Sequence, residues 1–445
     1  MRFCICVSGQ LRATDESFAR LKEISAGHEV QFIFSVWDRI GRKLDGGLNN
    51  AQLERMFDFF SFIAIPQELH ARGKTLWEFL PVLRRTLDLE SSQAQGEKIR
   101  TVIKEYFPDA IIDIEPSDLL DLSYDGTGVD LNSKKMLYRI WRCNEMKRRV
   151  EAISGKFDTV IYVRPDLILE NADFGYIRDR VAAGKFLVPN WGHAWGKVTE
   201  KDRAEDVFAA GNSSAMDYFS SLFSRSIALP QRWHNIHAHL FEHLNESALD
   251  VEDYALKHRF APGPLITLEQ LTSSLAEMRA AAQGWTDFHE ITFGVCHAMS
   301  MARASGIESA IEVMRALFLS ILSGGRGIPS NYVMVLCELF RQQRQIKAAA
   351  ICALTASHWI SMAELWETRG KLVEAVVFEA MTECGSAART VSWLLADLQP
   401  DWLSSVLINL LGLNYQDWLQ HKFEELVRAS APLTAAWTQL AGGVA

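Results

Sequence analysis

The chain has 445 residues, 48% of them hydrophobic and 23% charged, with a net charge of −9. That composition is globular rather than disordered, and the length suits two or three domains. The acidic balance argues against nucleic acid or an anionic membrane as partner, and no apolar run reaches the ~18 residues a transmembrane segment needs. Seven scattered cysteines, odd in number and without a CxxC, fit neither a disulfide framework nor a zinc site. The N-terminus enters a strand at once, without the features of a signal peptide, so the expected location is cytoplasmic.

Phe3–Val7 reads as a short apolar strand followed by the turn Ser8-Gly9-Gln10-Leu11-Arg12. A helix is predicted from about Asp15 to Ser25, and a second strand over Val30–Val36, ending at Trp37-Asp38. Residues 50–61 and 76–107 have helical pattern, with a polar stretch at Glu90–Glu97, and Ala110–Ile114 reads as a third strand. From Ser133 to Ile153, Met136, Leu137, Ile140, Trp141, Met146 and Val150 recur at helical spacing, and seven lysines and arginines fall on the other faces. That helix leads into Thr159–Val163, an apolar run that Arg164-Pro165-Asp166 interrupts before Leu167-Ile168-Leu169 resumes it. Lys185–Pro189 is a further strand. Alternation of this kind predicts an α/β fold, a mostly parallel sheet with helices on both faces, over residues 1–265.

Beyond Pro262-Gly263-Pro264 only helical segments follow, so residues 266–445 read as an all-helical domain. Three segments share a hairpin form: IESAIEVMRAL after Ser305-Gly306, IKAAAICALTA after Arg344-Gln345 and KLVEAVVFEAM after Arg369-Gly370. They resemble the second half of tetratricopeptide-type repeats, with Trp366–Gly370 the nearest match. The spacing is 39 residues from Ala310 to Ala349 but 26 from Ala349 to Ala375, which points to an irregular helical-hairpin array.

Open α/β sheets bind ligands outside the carboxyl ends of their strands. Three sequence features fall there. Gly9 lets backbone N–H groups approach a ligand, and the planar fork of Arg12 suits a phosphate. Trp37 and Asp38 suit stacking and hydrogen bonding to a nucleoside, though a Trp buried in the core gives the same pattern. Arg164 and Asp166 flank Pro165 at a strand end, where they either meet a ligand or pair with each other. The histidines 234, 237, 239 and 243 invite a metal reading, but no HExxH is present, and a helix end that carries histidines explains them better.

The ordered set SGQLR, FSVWD, KMLYRIWRCNEMK and FDTVIYVRPDLIL is similar to a group of bacterial glycosyltransferase-type proteins of polysaccharide gene clusters. The later Asp206-Val-Phe-Ala-Ala-Gly element and Glu242 in HLFEHL extend the resemblance, which covers roughly residues 1–265. It implies a GT-A-like (Rossmann-type) fold, a nucleotide-sugar donor held by Ser8, Gly9, Gln10, Arg12, Trp37, Asp38, Arg164 and Asp166, and a glycan or protein acceptor. The corresponding GT-A strand usually ends Asp-x-Asp, whose carboxylates hold a divalent metal. Here Arg164 takes the first position, so either Asp166 alone holds Mn²⁺ or Mg²⁺, or the arginine itself meets the diphosphate charge. Asp206, Glu242 and His193 are the candidate catalytic bases, and Asp206 is equally a candidate N-cap. The helical domain would bind the acceptor or a protein partner. The contrasting expectation is a non-catalytic sugar-nucleotide module carrying a helical interaction domain.

Overall fold

The computed structural model describes residues 2–12, 14–41, 56–69, 73–117, 131–189, 204–228, 236–261, 263–282, 284–358, 368–396, 398 and 401–442. The chain forms two compact units, one of residues 1–42 and 89–264, the other of residues 43–88 and 265–445.

The first unit is α/β. Its strands are β1 (Phe3–Gly9), β2 (Val30–Trp37), β3 (Ile111–Glu115), β4 (Thr159–Val163), β5 (Leu167–Leu169), β6 (Lys185–Val188), β7 (Phe208–Gly211), β8 (Asp250–Asp253) and β9 (His258–Phe260). Seven of them make one sheet in the order β3-β2-β1-β4-β7-β6-β8. β3, β2, β1 and β4 run parallel, β7 runs antiparallel to both β4 and β6, and β6 is parallel to β8. Alternation along β1 builds the two faces. Phe3, Ile5 and Val7 pack against Phe18 and Leu21 of the helix Asp15–Ile24, Ile99 and Ile103 of Gly96–Tyr106, and Ile177 of Phe174–Ala182. Cys4 and Cys6 point the other way, their sulfurs 3.8 Å apart, toward Leu137, Ile140 and Cys143 of the helix Leu131–Ser154.

The basic residues of that long helix are not all on solvated faces. Arg139 and Lys147 have no exposed side-chain surface. Arg139 meets Asp113 at 3.1 Å and Glu115 at 3.3 Å, while the Lys147 ammonium donates to the Ser213 carbonyl and hydroxyl and to Asp217 at 2.9 Å. Buried cations persist only when paired in this way. β5 is separate from β4, as the interrupted apolar run suggests. It does not prolong β4, because Pro165 ends the ladder there. It pairs with β9 in a separate two-stranded ribbon instead.

The second unit is all-helical among its described residues. Asp287–Ser305 packs on Ile307–Ser323, and Ser330–Gln342 packs on Ile346–Ala356, which in turn packs on Thr368–Cys384. Small residues bring these helices close: Ala310, Ala348, Ala349, Ala350 and Ala353 are buried. In the last helix the buried alanine is Ala380, whereas Ala375 is exposed. Trp366 and Glu367 of the repeat-like motif lie outside the described residues, as do residues 50–55 of a predicted helix.

Residues 43–88, placed by sequence within 1–265, belong to this helical unit. Hydrophobic burial and capping both account for it. Phe62, Ile63, Ala64, Leu76, Leu80 and Leu83 join the core of helices 268–436. The helices Phe59–Ala64 and Gly73–Phe79 leave carbonyls open at their C-termini, and residues far along the chain supply the donors. Asn331 donates to Ala64 at 2.7 Å, Arg369 to Phe62 and Ile65, and His289 to Phe79 at 2.7 Å. In the first unit the chain departs after Gly41, whose N–H bonds the Leu11 carbonyl. It is back by Gln95, whose N–H donates to the Asp38 carbonyl at 2.6 Å. No helix among the described residues is long and apolar enough to cross a membrane.

Candidate functional site

β1 has β2 on one side and β4 on the other, so successive parallel strands leave it in opposite directions and the switch lies between the carboxyl ends of β1 and β4. Such a point is where open α/β sheets form a ligand crevice. The residues there are Ser8-Gly9 and Arg164-Pro165-Asp166. Gly9 has φ +132°, and a Cβ on it would lie 3.5 Å from Pro165 Cδ, so the two chain ends pack against each other with glycine required by conformation. The Ser17 hydroxyl donates to the Pro165 carbonyl at 2.7 Å and the Ala261 N–H to the Asp166 carbonyl at 2.7 Å, which fixes the turn from below.

Asp166 is only 1% exposed. Its Oδ1 accepts from Arg164 Nε at 3.0 Å, and its Oδ2 accepts from Arg164 Nη2 at 2.8 Å and Arg12 Nη1 at 3.0 Å. One buried carboxylate thus orders two guanidiniums, and one of them, Arg12, comes from 154 residues away in sequence. Both arginines keep part of their side chains exposed, 29% for Arg12 and 22% for Arg164. Phe260 lies under Arg164, its ring centroid 5.0 Å from the guanidinium carbon. Burial opposes the charge on Arg164, but the Asp166 carboxylate, with Asp206 behind it, outweighs burial and raises its pKa. Arg164 is therefore cationic at any physiological pH. The hydrogen-bonded cluster of two arginines and one aspartate carries a formal net charge of +1, and planar guanidiniums suit a bidentate anion such as a phosphate.

The metal ligation expected of Asp166 meets a difficulty of donor chemistry. A hard divalent cation needs carboxylate oxygens, and here both oxygens accept charge-assisted hydrogen bonds that the metal would have to displace. Among the described residues no group of three or more His, Cys, Asp or Glu side chains is arranged to hold a metal ion.

β7 brings in a second carboxylate. Its antiparallel pairing sets Phe208 opposite Val163, and the Arg164 N–H donates to the Val207 carbonyl at 3.1 Å. Asp206 therefore sits beside the arginine corner, 6% exposed, with His237 Nδ1 3.7 Å from its Oδ1. It is not an N-cap: β7 intervenes, and the next helix, Ser213–Ser220, is capped by Asn212, which accepts from the Ala215 N–H at 2.9 Å. Glu205 next to it pairs with His258 at 3.5 Å.

Other predicted site residues lie elsewhere. Trp37 is 4% exposed, with the Arg139 guanidinium 3.8 Å above its ring and Tyr138 stacked beside it, so its faces serve the core and not a nucleoside. Asp38 accepts from the Ser117 N–H at 3.1 Å and approaches Arg39 at 3.8 Å, one strand away from the switch point. Gln10 is exposed, its carboxamide lying over Gly41, where a Cβ would collide with it. Glu242 is buried in mid-helix with His239 3.9 Å away, about 7.5 Å along the helix axis from His237. His193 and His234 lie outside the described residues.

Tyr162 and Ser8 share the β1/β4 face that carries Cys6, and both hydroxyls are buried without a hydrogen-bond partner among the described residues. Burial and the Asp206 charge raise the Tyr162 pKa, so it stays a neutral phenol. In sequence Tyr162 reads as one more apolar strand residue, and only its alternation with Ile161 and Val163 marks the face it takes.

The histidines of the helix Ile236–Asn245 explain themselves without a metal. His243 donates from Nε2 to the Tyr218 carbonyl at 2.9 Å and stacks on the Tyr218 ring at 4.4 Å. Burial pushes its pKa down to about 4, and burial lowers that of His239 as well. In the unfolded chain these imidazoles titrate near 6.5. Above that pH neither state binds the proton. As pH falls from about 6.5 toward 4 the unfolded state alone takes it up, so stability is lost across that window, by on the order of 2–3 kcal/mol for His243. His243→Gln is expected to flatten the decline when urea midpoints are compared at pH 7.5 and pH 4.5, and an unchanged slope would contradict this assignment.

No protein-family model matches the chain, and no curated protein matches it.

Proposed function

We propose that the protein is a nucleotide-sugar-dependent glycosyltransferase of GT-A-like fold, and that Arg12 and Arg164 hold the donor diphosphate. The observation that carries this reading is the pair of guanidiniums ordered by buried Asp166 at the switch point between β1 and β4. It gathers the SGQLR and RPD segments of the sequence resemblance at one place. Diphosphate departure builds negative charge on the leaving group, and preorganised cations aimed at that charge lower the barrier. Since the Asp166 oxygens are committed to the arginines, Asp166 acts as their anchor and the charge is met by guanidinium, not by a divalent cation. The acceptor is a hydroxyl of a glycan or a protein. The helical unit, with its repeat-like hairpins, binds that acceptor or a protein partner, and the reaction takes place in the cytoplasm, where nucleotide sugars are made. All seven cysteines are free thiols, which accords with a reducing compartment.

A second reading, a non-catalytic sugar-nucleotide module, draws on the same arginine: Arg164 stands where a metal carboxylate is expected. One experiment separates the two. Calorimetry against UDP-, GDP- and CMP-sugars, with Mn²⁺ and with EDTA, is expected to find one nucleotide class that binds equally in both conditions and is slowly hydrolysed. Binding without any turnover supports the module, and no binding at all refutes the donor site.

A further inference from the structure

Two hydroxyls beside the arginine corner are buried with nothing to bond, and a buried polar group left in that state calls for an explanation. They belong to Ser8 and Tyr162, each 1% exposed, and neither forms a hydrogen bond among the described residues. Cys6 lies opposite Tyr162 in the β1/β4 ladder, so Ser8, two residues on, takes the same face of the sheet nearer its carboxyl edge. Phe219 packs on the Tyr162 ring, the centroids 5.6 Å apart. The hydroxyl end is aimed at the corner. After burial, the groups that act on the phenol are Asp206, Arg164, Ser8 and Asp166, all at or beyond the strand ends.

The two hydroxyls do not satisfy each other. Burial and then Asp206 raise the phenol pKa against smaller lowering effects of Arg164 and Ser8, so Tyr162 stays a neutral donor. Ser8 is thus near enough to act on the phenol, yet no hydrogen bond joins the two oxygens. A bond between them would use one of the two protons and leave the other donor orphaned. An orphaned donor costs stability, and it stands here beside a cationic corner. A ligand group that only accepts, and is negative, meets both conditions: a phosphate or diphosphate oxygen.

We propose that the Tyr162 and Ser8 hydroxyls complete the anion site by donating to oxygens of the diphosphate that Arg12 and Arg164 hold; this rests on the donor site proposed above. Neither oxygen is open to water in the ligand-free chain, whereas both arginine side chains are part-exposed. The arginines therefore meet the diphosphate first, and the hydroxyl contacts form as the corner adjusts around it. Neutral donors in a dry site stabilise the charge that builds on the leaving oxygens without adding a further cation.

The test compares the full-length wild-type chain with Tyr162→Phe and Ser8→Ala by calorimetry against UDP, GDP and their sugars. Each variant is expected to bind the selected diphosphate at least ~10-fold more weakly. Each is also expected to keep or raise the urea midpoint of the ligand-free protein, because it sheds an unpaired buried hydroxyl. A hydroxyl with a structural partner gives the reverse pair, a lower midpoint with unchanged affinity, and that result overturns the inference. Unchanged affinity in both variants overturns it whatever the midpoint, and leaves the arginine site standing. Weaker binding of the sugars with UDP and GDP unaffected places the hydroxyls on the sugar and overturns the diphosphate assignment. Failure of wild type to bind any of these ligands overturns both this inference and the diphosphate site beneath it. Independently of the variants' stability, wild type labelled with fluorotyrosine is expected to show the ¹⁹F resonance that Tyr162→Phe lacks shifting on saturation with ligand. A resonance that stays in place while ligand binds refutes the proposal.

Discussion

Asp166→Ala is expected to lower folding stability by about 3–5 kcal/mol and to abolish nucleotide-sugar binding together with it. Removing one member of a buried ionic cluster leaves the others buried without compensation, which is the costly case. Here two guanidiniums converge on the one carboxylate, 2.8–3.0 Å from its oxygens. Without it they repel each other across the switch point, and Arg12 and Arg164 lose the orientation that would receive a diphosphate. A carboxylate whose task was to hold a metal would behave in the opposite way. Its loss would relieve repulsion in the apo protein, raise the denaturation midpoint and remove only a metal-dependent part of binding. Urea denaturation and calorimetry of Asp166→Ala and Asp166→Asn decide between these outcomes. A wild-type or higher midpoint defeats the anchor role given to Asp166.

The second large effect concerns the helical segment between β2 and β3. A chain stopped at residue 264 is expected to give associated, dye-binding material in place of a folded first unit. That fragment keeps Phe62, Ile63, Leu76, Leu80 and Leu83, each of which is at most 1% exposed in the whole protein, but lacks the helices that cover them. At roughly 1.5–3 kcal/mol for each large apolar side chain, on the order of 10 kcal/mol of burial is forfeited. A companion fragment that also replaces residues 43–88 by a flexible linker is expected to be monodisperse and cooperatively folded. Its two ends are held close, because Gln95 bonds to Asp38, and closely spaced ends are the condition under which an inserted segment can be excised. Gel filtration and thermal melts of the two fragments check this. A well-folded 1–264 fragment would show that the segment does not depend on its distant partners.

Much of the first unit was legible because its strands are continuous apolar runs. β1, β2, β3 and β4 and the helix Leu131–Ser154 fall within two or three residues of their sequence-based limits. The strands that sequence reading missed are short or carry little β signal: Phe208-Ala209-Ala210-Gly211 is mostly small residues, Asp250–Asp253 is largely acidic, and His258–Phe260 has only three residues. The membership of residues 43–88 could not be read, since a helical period says that a face is buried and not which core buries it. At the site, the gathering of Ser8, Gly9, Arg12, Arg164 and Asp166 was legible from strand ends alone. The commitment of Asp166 to two arginines was not, because one of them is separated from it by most of the unit. The burial of Trp37 was one of the two readings its segment allowed, but its cover by Arg139, turned inward from a helix whose periodicity had placed it outward, was not legible.

The bond from Arg369 to the Phe62 carbonyl spans 307 residues, and this sets a timetable for synthesis. A ribosome that adds 5–20 residues per second makes residues 59–88 roughly 15–55 s before Arg369 exists. For that interval a set of apolar helices has no core to join, while the strands on either side of them can already begin to pair. The sequence thus asks the cell to shelter an early segment until a late one arrives, and nascent-chain crosslinking should find chaperone concentrated on it.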